Sequence, residues 1–384
     1  MARPRRKVCV VVASRANYGR VKSVMAAVRD HPELELVLIV GASALLFRYG
    51  SAIDVIEHDG FQANAKVYSI IEGESPATMA KSTGLGIIEL TTQFENFGPD
   101  VVLTVADRFE TLATAVAASY MNIPLAHTQG GEVTGSIDES VRHAITKLAH
   151  LHFTTTELSR ERVIRMGEAP ETVHVTGCPS LDPLVGIARG LPADFFDAHG
   201  VGASLDASRP FIVVLQHPVT TEYRDAFRQI EETLAAIHAL AMPTVWLWPN
   251  VDAGSDSTSK GLRVFVERHP GFPIRLFRNF AVEDYARVIA STACLVGNSS
   301  SAIREGTFLG VPAVNIGTRQ HRRERGGNVI DVDYDRHAIK AAIDSQLAHG
   351  RYPPDPLYGD GHSGPRIADL LARATFTIQK SLAY

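Results

Sequence analysis

The sequence has few cysteines and no long apolar run, and both shortages exclude classes of protein. Its three cysteines, Cys9, Cys178 and Cys294, lie far apart in apolar or turn contexts. They form no zinc-binding spacing, and they suit a reducing compartment better than a disulfide-stabilised secreted fold. No stretch reaches the roughly 18 apolar residues that a transmembrane helix needs. The apolar segment 8–13 is too short for a signal-peptide core, so we expect a cytoplasmic protein.

Strong net charge and metal-binding motifs are also missing. The net charge is −4, which gives no sign of a nucleic-acid or membrane-surface partner. The chain contains 15 histidines, but none falls in a pattern such as HExxH, so no metal site is predicted. The first strand-to-helix junction lacks GxGxxG, and a dinucleotide site is therefore not indicated.

The length and the apolar pattern predict two α/β domains. The chain has 384 residues, of which 45% are apolar, enough for two domains with separate cores. Patterns typical of buried strands alternate with helical patterns throughout both halves, which predicts two Rossmann-like parallel sheets wrapped by helices. We place the first domain at residues 1–185 and the second at 186–364. The remaining residues, 365–384, are predicted to form a C-terminal helix.

Polar residues follow several predicted strands, where open α/β sheets bind their ligands. Asp107 follows a strand at 100–105 and Gln129 follows the next strand at 123–127, so both should reach one crevice. Ser299 and Ser300 stand between a strand and a helix, where the backbone can cradle phosphate. Helix capping alone is the alternative for Asp107 and for the two serines.

The first strand is followed by a polar segment, SRANYGR, that is predicted to be a turn before a helix beginning at Val21. A helix N-terminus after a strand binds anions. Arg15 and Arg20 of this turn could meet a phosphate, although either arginine alone would more often lie at the surface.

The segment 124–153 combines a glycine-rich turn with an amphipathic helix. Apolar spacing from Ile137 predicts the helix, and Ser136 with Glu139 has the form of a capping box. Asp138 then lies at a helix N-terminus, which favours a carboxylate; its alternative role is merely to cap. The polar residues grouped around this turn, which predict a site, are Gln129, Glu132, Asp138, Arg142 and His143.

Five stretches together resemble the UDP-N-acetylglucosamine 2-epimerase family, and they cover nearly the whole chain in order. They are SRANYGR, ADRFE, HTQGGEVTGSIDESVRHAITKLAHLHF, QHPVTTEY with WPNVDAG, and GNSSSAIREGTFLGVPAVNIGTRQHRRERGGNV. Within the family, the likeness is closest to the hydrolysing branch, which includes enzymes of the bacterial sialic-acid pathway. It implies a glycosyltransferase-B-like architecture, with the nucleotide sugar in a cleft between the domains and the C-terminal helix crossing back to the first. It also implies a homodimer or homotetramer and no metal or redox cofactor.

The resemblance also implies a reaction and roles for particular residues. UDP leaves C1 while a proton is removed from C2, and water or UDP then adds to the resulting 2-acetamidoglucal, which requires acid and base groups. The family's catalytic positions correspond to Asp107, Asp138, His217 and Gln129. Its substrate-binding positions, with their neighbours, correspond to Arg15, Arg108, Glu132, Arg142, His143, Asn250, Ser299, Ser300, Glu305 and Arg319.

Gln129 departs from the family pattern HIEGGE, in which the hydrolysing enzymes carry Glu. A Gln side chain forms hydrogen bonds but exchanges no proton, and Glu132 is one hypothetical replacement for the missing acid. The leading prediction is an enzyme that converts UDP-N-acetylglucosamine, or a close derivative, to N-acetylmannosamine and UDP. Because of Gln129, retention of the product as UDP-N-acetylmannosamine is an alternative. A glycosyltransferase-B-type transferase and a non-catalytic nucleotide-sugar binder remain open as well.

Overall fold

Two sheets wrapped by helices form the part of the chain that the computed structural model describes, residues 4–73, 75–198 and 200–383. The first sheet has seven parallel strands in the order β3-β2-β1-β4-β5-β6-β7. These are β1 (Arg6–Val12), β2 (Leu34–Gly41), β3 (Ala65–Val67), β4 (Val101–Val105), β5 (Leu125–Thr128), β6 (Leu151–Thr154) and β7 (Val173–Val175).

The second sheet also has seven strands, in the order β14-β13-β12-β9-β10-β11-β8. They are β8 (Val201–Gly202), β9 (Ile212–Leu215), β10 (Thr244–Leu247), β11 (Ile274–Phe277), β12 (Cys294–Gly297), β13 (Ala313–Ile316) and β14 (Val329–Val332). Neighbouring strands are parallel except for the short edge strand β8, which pairs antiparallel with β11. The predicted α/β class with two doubly wound halves is therefore confirmed.

Helices cover both sheets. They are α1 (Arg15–Asp30), α2 (Ala52–His58), α3 (Pro76–Phe97), α4 (Phe109–Tyr120), α5 (Ile137–Leu148), α6 (Glu157–Arg165), α7 (Ala226–Leu240), α8 (Ser255–Arg268), α9 (Val282–Ser291), α10 (Glu305–Leu309), α11 (Arg336–His349) and α12 (Ser363–Arg373). Because helices lie on both faces, central strands such as β4 and β9 are buried along their whole length and consist almost entirely of apolar residues. Across the described ranges, no helix combines the length and apolarity needed to cross a membrane.

Helix α1 begins earlier than the sequence pattern predicted. The segment SRANYGR is not a turn, because the helix starts at Arg15 and Ser14 is its N-cap. The Ser14 side chain accepts a hydrogen bond from the backbone N–H of Asn17, which is a standard capping arrangement. Arg15 and Arg20 therefore project from a helix that directly follows strand β1.

The C-terminal helix α12 returns to the first sheet, as predicted, but it is shorter than predicted. Ile367 and Leu371 share a hydrophobic core with Val21 and Val24 of α1. The helix ends at Arg373 rather than continuing over residues 374–383. Two β-branched threonines follow, which disfavour a helix.

The segment after α12 is held instead by Lys380, whose Nζ lies 2.7 Å from the Glu168 carboxylate. This ion pair fixes the segment after α12 beside the end of α6, and the segment does not continue as a helix. The domain boundaries near residues 185 and 364 stay predictions.

Candidate active site

A cleft between the two sheets collects most of the predicted nucleotide-binding residues. It lies at the carboxyl ends of β9, β10 and β12 and at the start of α1, where parallel α/β sheets bind ligands. Its empty volume is ≈ 970 Å³, open solvent included. The predicted residues that line it are Arg15, His217, Asn250, Ser299, Ser300, Glu305 and Arg319.

Asp107 lies between two guanidinium groups at the end of β4. Arg142 of α5 donates to Asp107 Oδ2, and Arg20 Nη1 lies 3.7 Å from Asp107 Oδ1. Burial alone would raise the pKa of Asp107, but the charges of Arg142 and Arg20 hold it far below its ordinary value. The N-cap residue of α4 is Arg108, not Asp107, so the alternative capping role for Asp107 is wrong.

Asp138 is a second carboxylate, in the first turn of α5. The backbone N–H of Asp138 donates to Ser136 Oγ at 3.3 Å, so Ser136 supplies the cap. Burial and the negative charge of Asp107 raise the pKa of Asp138 to about 6, although Arg319, with Nη2 at 3.8 Å, opposes the shift. Asp138 thus changes its protonation state near neutral pH while Asp107 stays ionised.

His217 is a neutral histidine at the edge of the cleft. Its Nδ1 accepts a hydrogen bond from the backbone N–H of Asn250 at 3.3 Å, which leaves Nε2 to carry the proton. Burial, together with the positive charges of Arg319 and Arg15, lowers the pKa of His217 well below its ordinary value. The imidazole can therefore donate one N–H hydrogen bond without bearing a charge.

The turn after β12 supplies hydroxyl and carboxylate groups to the cleft. Ser299 caps a short 3-10 helix by accepting from the backbone N–H of Ser301 at 3.3 Å, so the capping role predicted as an alternative is real for Ser299. Ser300 Oγ accepts from Arg20 Nη2 at 3.0 Å. Glu305 Oε2 is buried without a hydrogen-bond partner in the described part of the chain. A buried acceptor of this kind fits a ligand hydroxyl.

Three arginines make the cleft cationic. Arg15 donates to the carbonyl oxygen of Trp248, and burial lowers the pKa of Arg15 to about 10, which leaves it charged at neutral pH. Arg319 Nη1 donates to the Asn298 carbonyl at 3.2 Å. Arg20 also lines the cleft, which favours the predicted contact with a phosphate over the alternative of a surface position. Guanidinium groups beside serine hydroxyls form a site for phosphate groups.

Arg108 lies in a buried ion-pair cluster and not in the lining of the cleft. Its Nη1 lies 2.9 Å from Asp252 Oδ1, in the turn after β10. Its Nε lies 3.1 Å from Glu110 Oε2. Arg108 therefore joins the first sheet's loops to those of the second, beside Asp107.

Glu132 is likewise part of an ion cluster between the two sheets. Arg304 Nη2 lies 2.5 Å and Arg323 Nη2 3.2 Å from Glu132 Oε2, and Thr155 donates to Oε1 at 2.9 Å. Burial opposes ionisation, but Arg304 and Arg323 lower the pKa of Glu132 to about 2. Because both oxygens have partners and the group stays ionised, the geometry argues against Glu132 as the replacement acid.

Gln129 is fully buried at the end of β5, in the left-handed region with φ 63°. Its Nε2 donates to Cys178 Sγ at 3.3 Å, and Cys178 Sγ lies 3.1 Å from the hydroxyl of Ser180, which lines the cleft. Gln129 Oε1 has no hydrogen-bond partner among the residues described. Within the described part of the chain, Cys178 and Ser180 therefore link this side chain to the cleft.

The ion-pair partner of His143 lies on its own helix. His143 Nε2 lies 3.6 Å from Glu139 Oε1, and burial, with the charge of Arg142, lowers the pKa of His143. Glu139 Oε2 accepts from the backbone N–H of Thr134 at 2.7 Å and not from Ser136. The predicted capping box is therefore wrong, although Ser136 does cap the helix through the N–H of Asp138.

Sequence reasoning missed Tyr285 and Arg304. Tyr285 lines the cleft from α9, but it belongs to an ordinary amphipathic helix and carries no motif signal. Arg304 is only 1% exposed. Its position directly after the apolar pair Ala302-Ile303 was the available sign of burial, and a buried arginine requires a carboxylate partner.

These features define a two-sheet α/β protein with a cationic cleft and two carboxylates beside it. The sequence model of the UDP-N-acetylglucosamine 2-epimerase family matches residues 26–372, and the chain belongs to that family.

Curated relatives include hydrolysing enzymes. The hydrolysing UDP-N,N'-diacetylbacillosamine 2-epimerase of Legionella pneumophila is 33% identical over 366 residues, 95% of each chain. Polysialic acid biosynthesis protein P7 of Escherichia coli is 34% identical over 341 residues, 88% of this chain and 85% of the relative. Among solved structures, the UDP-GlcNAc 2-epimerase of Neisseria meningitidis bound to UDP-GlcNAc superimposes with a TM-score of 0.78. It covers 96% of this chain and all of its own at 18% identity, which shows a common fold.

Proposed function

We propose that this chain is a hydrolysing 2-epimerase that converts UDP-N-acetylglucosamine, or a close derivative, to UDP and the free 2-epimeric sugar. The observation that carries the proposal is the pair Asp107 and Asp138, whose pKa values are shifted in opposite directions beside one cationic cleft. Two carboxylates held in different protonation states supply a proton acceptor and a proton donor.

The first half-reaction is an elimination. Ionised Asp107 accepts the proton from C2 of the sugar, the C2–H electrons form a C1–C2 double bond, and UDP leaves C1 with its bonding electrons. Negative charge develops on the departing diphosphate. The Nε2–H of His217 and the guanidinium groups of Arg15 and Arg319 are placed to stabilise that charge.

The second half-reaction is an addition to the 2-acetamidoglucal. The oxygen of a water molecule bonds to C1, and the electrons of the C1–C2 double bond form a new C2–H bond with a proton delivered on the opposite face. The proton lost by the water, and the one that Asp107 took from C2, pass to the solvent. Asp138 is the donor, because it is protonated below about pH 6. The hydrolysing name of the relative from Legionella pneumophila supports water over UDP as the added group.

Proton NMR in deuterated water tests the proposal with UDP-N-acetylglucosamine and UDP-N,N'-diacetylbacillosamine as substrates. We expect deuterium at C2 of a free sugar, together with free UDP. Deuterium at C2 of a sugar still on UDP would instead support the non-hydrolysing alternative, which Gln129 favours because it exchanges no proton. Intact substrates without deuterium would contradict the proposal and leave a transferase or a nucleotide-sugar binder.

The family likeness supports two further expectations, a homodimer or homotetramer formed through the first domain and a cytoplasmic location. Light scattering on the eluting chromatographic peak measures the mass directly. A monomer of 41.6 kDa at micromolar concentration would contradict the first expectation.

A further inference from the structure

Six residues from the two halves of the chain form a closed ring of polar contacts beside the cleft. We call it the Asp107 ring. Its members are Asp107, Arg142, Glu132, Arg304, Ser300 and Arg20. The part within the first half of the chain runs from Asp107 to Arg142 and on to Glu132, whose backbone carbonyl accepts from Arg142 Nη1 at 2.7 Å.

The ring crosses to the second half of the chain and returns. Glu132 Oε2 lies 2.5 Å from Arg304 Nη2, and Arg304 Nη1 donates to Ser300 Oγ at 3.4 Å. Arg20 Nη2 donates to the same oxygen at 3.0 Å, while Arg20 Nη1 lies 3.7 Å from Asp107. Glu132 and Arg304 are both about 98–99% buried, so water does not screen their ion pair.

These contacts determine what the Ser300 hydroxyl can do. A serine oxygen has two lone pairs and one proton. Arg20 and Arg304 donate to the oxygen from two sides, which occupies both lone pairs. The hydroxyl proton is left to donate, and Ser300 lines the cleft. The Ser300 hydroxyl can therefore donate a hydrogen bond to a negatively charged oxygen of a ligand in the cleft.

We propose that Glu132 and Arg304 are positioning residues for nucleoside diphosphate binding, because they hold Ser300 as a hydrogen-bond donor to the diphosphate. This inference rests on the proposed function, since it takes the diphosphate of the nucleotide sugar as the ligand. Glu132 anchors one arm of the Arg304 guanidinium and thereby directs the other arm at Ser300. Neither residue lines the cleft, so both act through Ser300.

Isothermal titration of UDP into purified protein tests the inference through a double-mutant cycle. Glu132→Gln sets an amide N–H₂ against Arg304, and we expect it to weaken UDP binding roughly 10- to 100-fold. Ser300→Ala should weaken binding by a similar factor. If Glu132 acts through Ser300, the double variant binds no more weakly than Ser300→Ala alone. Effects that multiply, or an unchanged affinity in Glu132→Gln, would overturn the inference.

Glu324→Gln is the matched control. Glu324 also joins the two halves of the chain, since Thr156 Oγ1 donates to its Oε2 at 2.7 Å, but it is outside the ring. We expect UDP affinity in this variant to equal that of the wild type. An equal loss in Glu324→Gln would show that any contact between the halves supports binding, which would overturn a role specific to Glu132.

If Glu132→Gln does not fold, the UDP affinity of Arg304→Lys tests the same inference. Lysine retains the charge opposite Glu132 but lacks the second arm that reaches Ser300. We expect the same loss of UDP affinity with a KM increase larger than the fall in kcat; wild-type affinity would overturn the inference. If the wild-type protein binds no UDP, the proposed function itself is overturned. If it binds UDP but Glu132→Gln and Ser300→Ala weaken binding independently, only the positioning role of Glu132 and Arg304 is overturned.

Discussion

Asp107 and Asp138 lie beside the same cleft, yet their surroundings shift their pKa values in opposite directions. Both are largely buried, and burial disfavours the charged form of each. Asp107 contacts two guanidinium groups, those of Arg142 and Arg20. Asp138 forms an ion pair with Arg319 at a longer distance, 3.8 Å, and also faces the charge of Asp107. The number and closeness of cations, rather than burial, therefore decide which carboxylate can carry a proton.

Replacement of Asp107 should have the largest effect on both activity and stability. Asp107→Asn removes the proton acceptor, and we expect kcat to fall roughly 10²- to 10⁴-fold. It also leaves Arg142 buried against a neutral amide, which should lower the free energy of unfolding by about 3–5 kcal/mol. UDP release and urea denaturation measure the two effects. UDP binding by the folded variant is the control, and kcat within tenfold of the wild type would contradict the assignment.

Replacement of Asp138 should lower activity but raise stability at neutral pH. We expect Asp138→Asn to lose roughly 10²-fold in kcat, because it cannot donate a proton. The pKa of Asp138 is raised from 3.8 to about 6, so its stabilising contribution is present below pH 3.8 and is lost as the pH rises through 6. At pH 7 the ionised carboxylate destabilises the fold by roughly 3 kcal/mol.

Asp138→Asn removes the destabilisation that the ionised carboxylate causes at pH 7. Urea denaturation at pH 7 should therefore rank Asp138→Asn above the wild type, and Asp107→Asn below it. If both variants are destabilised at pH 7, the proposed difference between the two carboxylates is wrong.

Removal of the Arg319 charge should shift the pH dependence of kcat. Since Asp138 donates a proton, kcat of the wild type should fall as the pH rises above about 6. Arg319 lowers the pKa of Asp138, so Arg319→Met should move this descending limb to higher pH by roughly 0.5–1 unit. KM should rise as well, because Arg319 lines the cleft. A limb that stays in place or moves to lower pH would contradict the assignment.

The fold and the strand-end residues were predictable because each depends on short stretches of sequence. The apolar strand β4 followed by Asp107, and β12 followed by Ser299, identify the ligand edge of each sheet without further information. The start of α1 was mistaken because its first turn is polar, and polar residues with a glycine also form turns. Ser14 three residues before Asn17 was the local signal for a cap.

The ion clusters could not be predicted because their partners are far apart in the chain. Glu132 meets Arg304 and Arg323 only when the two sheets come together, and the sequence contains no pattern that pairs them. The same limit applies to protonation. Asp107 and Asp138 are chemically identical residues, and the positions of charged neighbours such as Arg20, Arg142 and Arg319 distinguish them.

Replacement of His143 should have the smallest effect. His143 follows Arg142 on α5, but an α-helix turns about 100° per residue, so it leaves the face that Asp138 and Arg142 share. Its contact is Glu139 on the same helix. Because burial lowers the pKa of His143, the imidazole is neutral near pH 7, and the contact contributes no more than the roughly 0.3–0.5 kcal/mol of a charged i,i+4 pair. His143→Ala should therefore change kcat/KM and the free energy of unfolding by no more than about 0.5 kcal/mol each. A tenfold loss of kcat/KM with unchanged stability would show that His143 reaches the substrate, and that the cleft extends along α5 beyond Asp138.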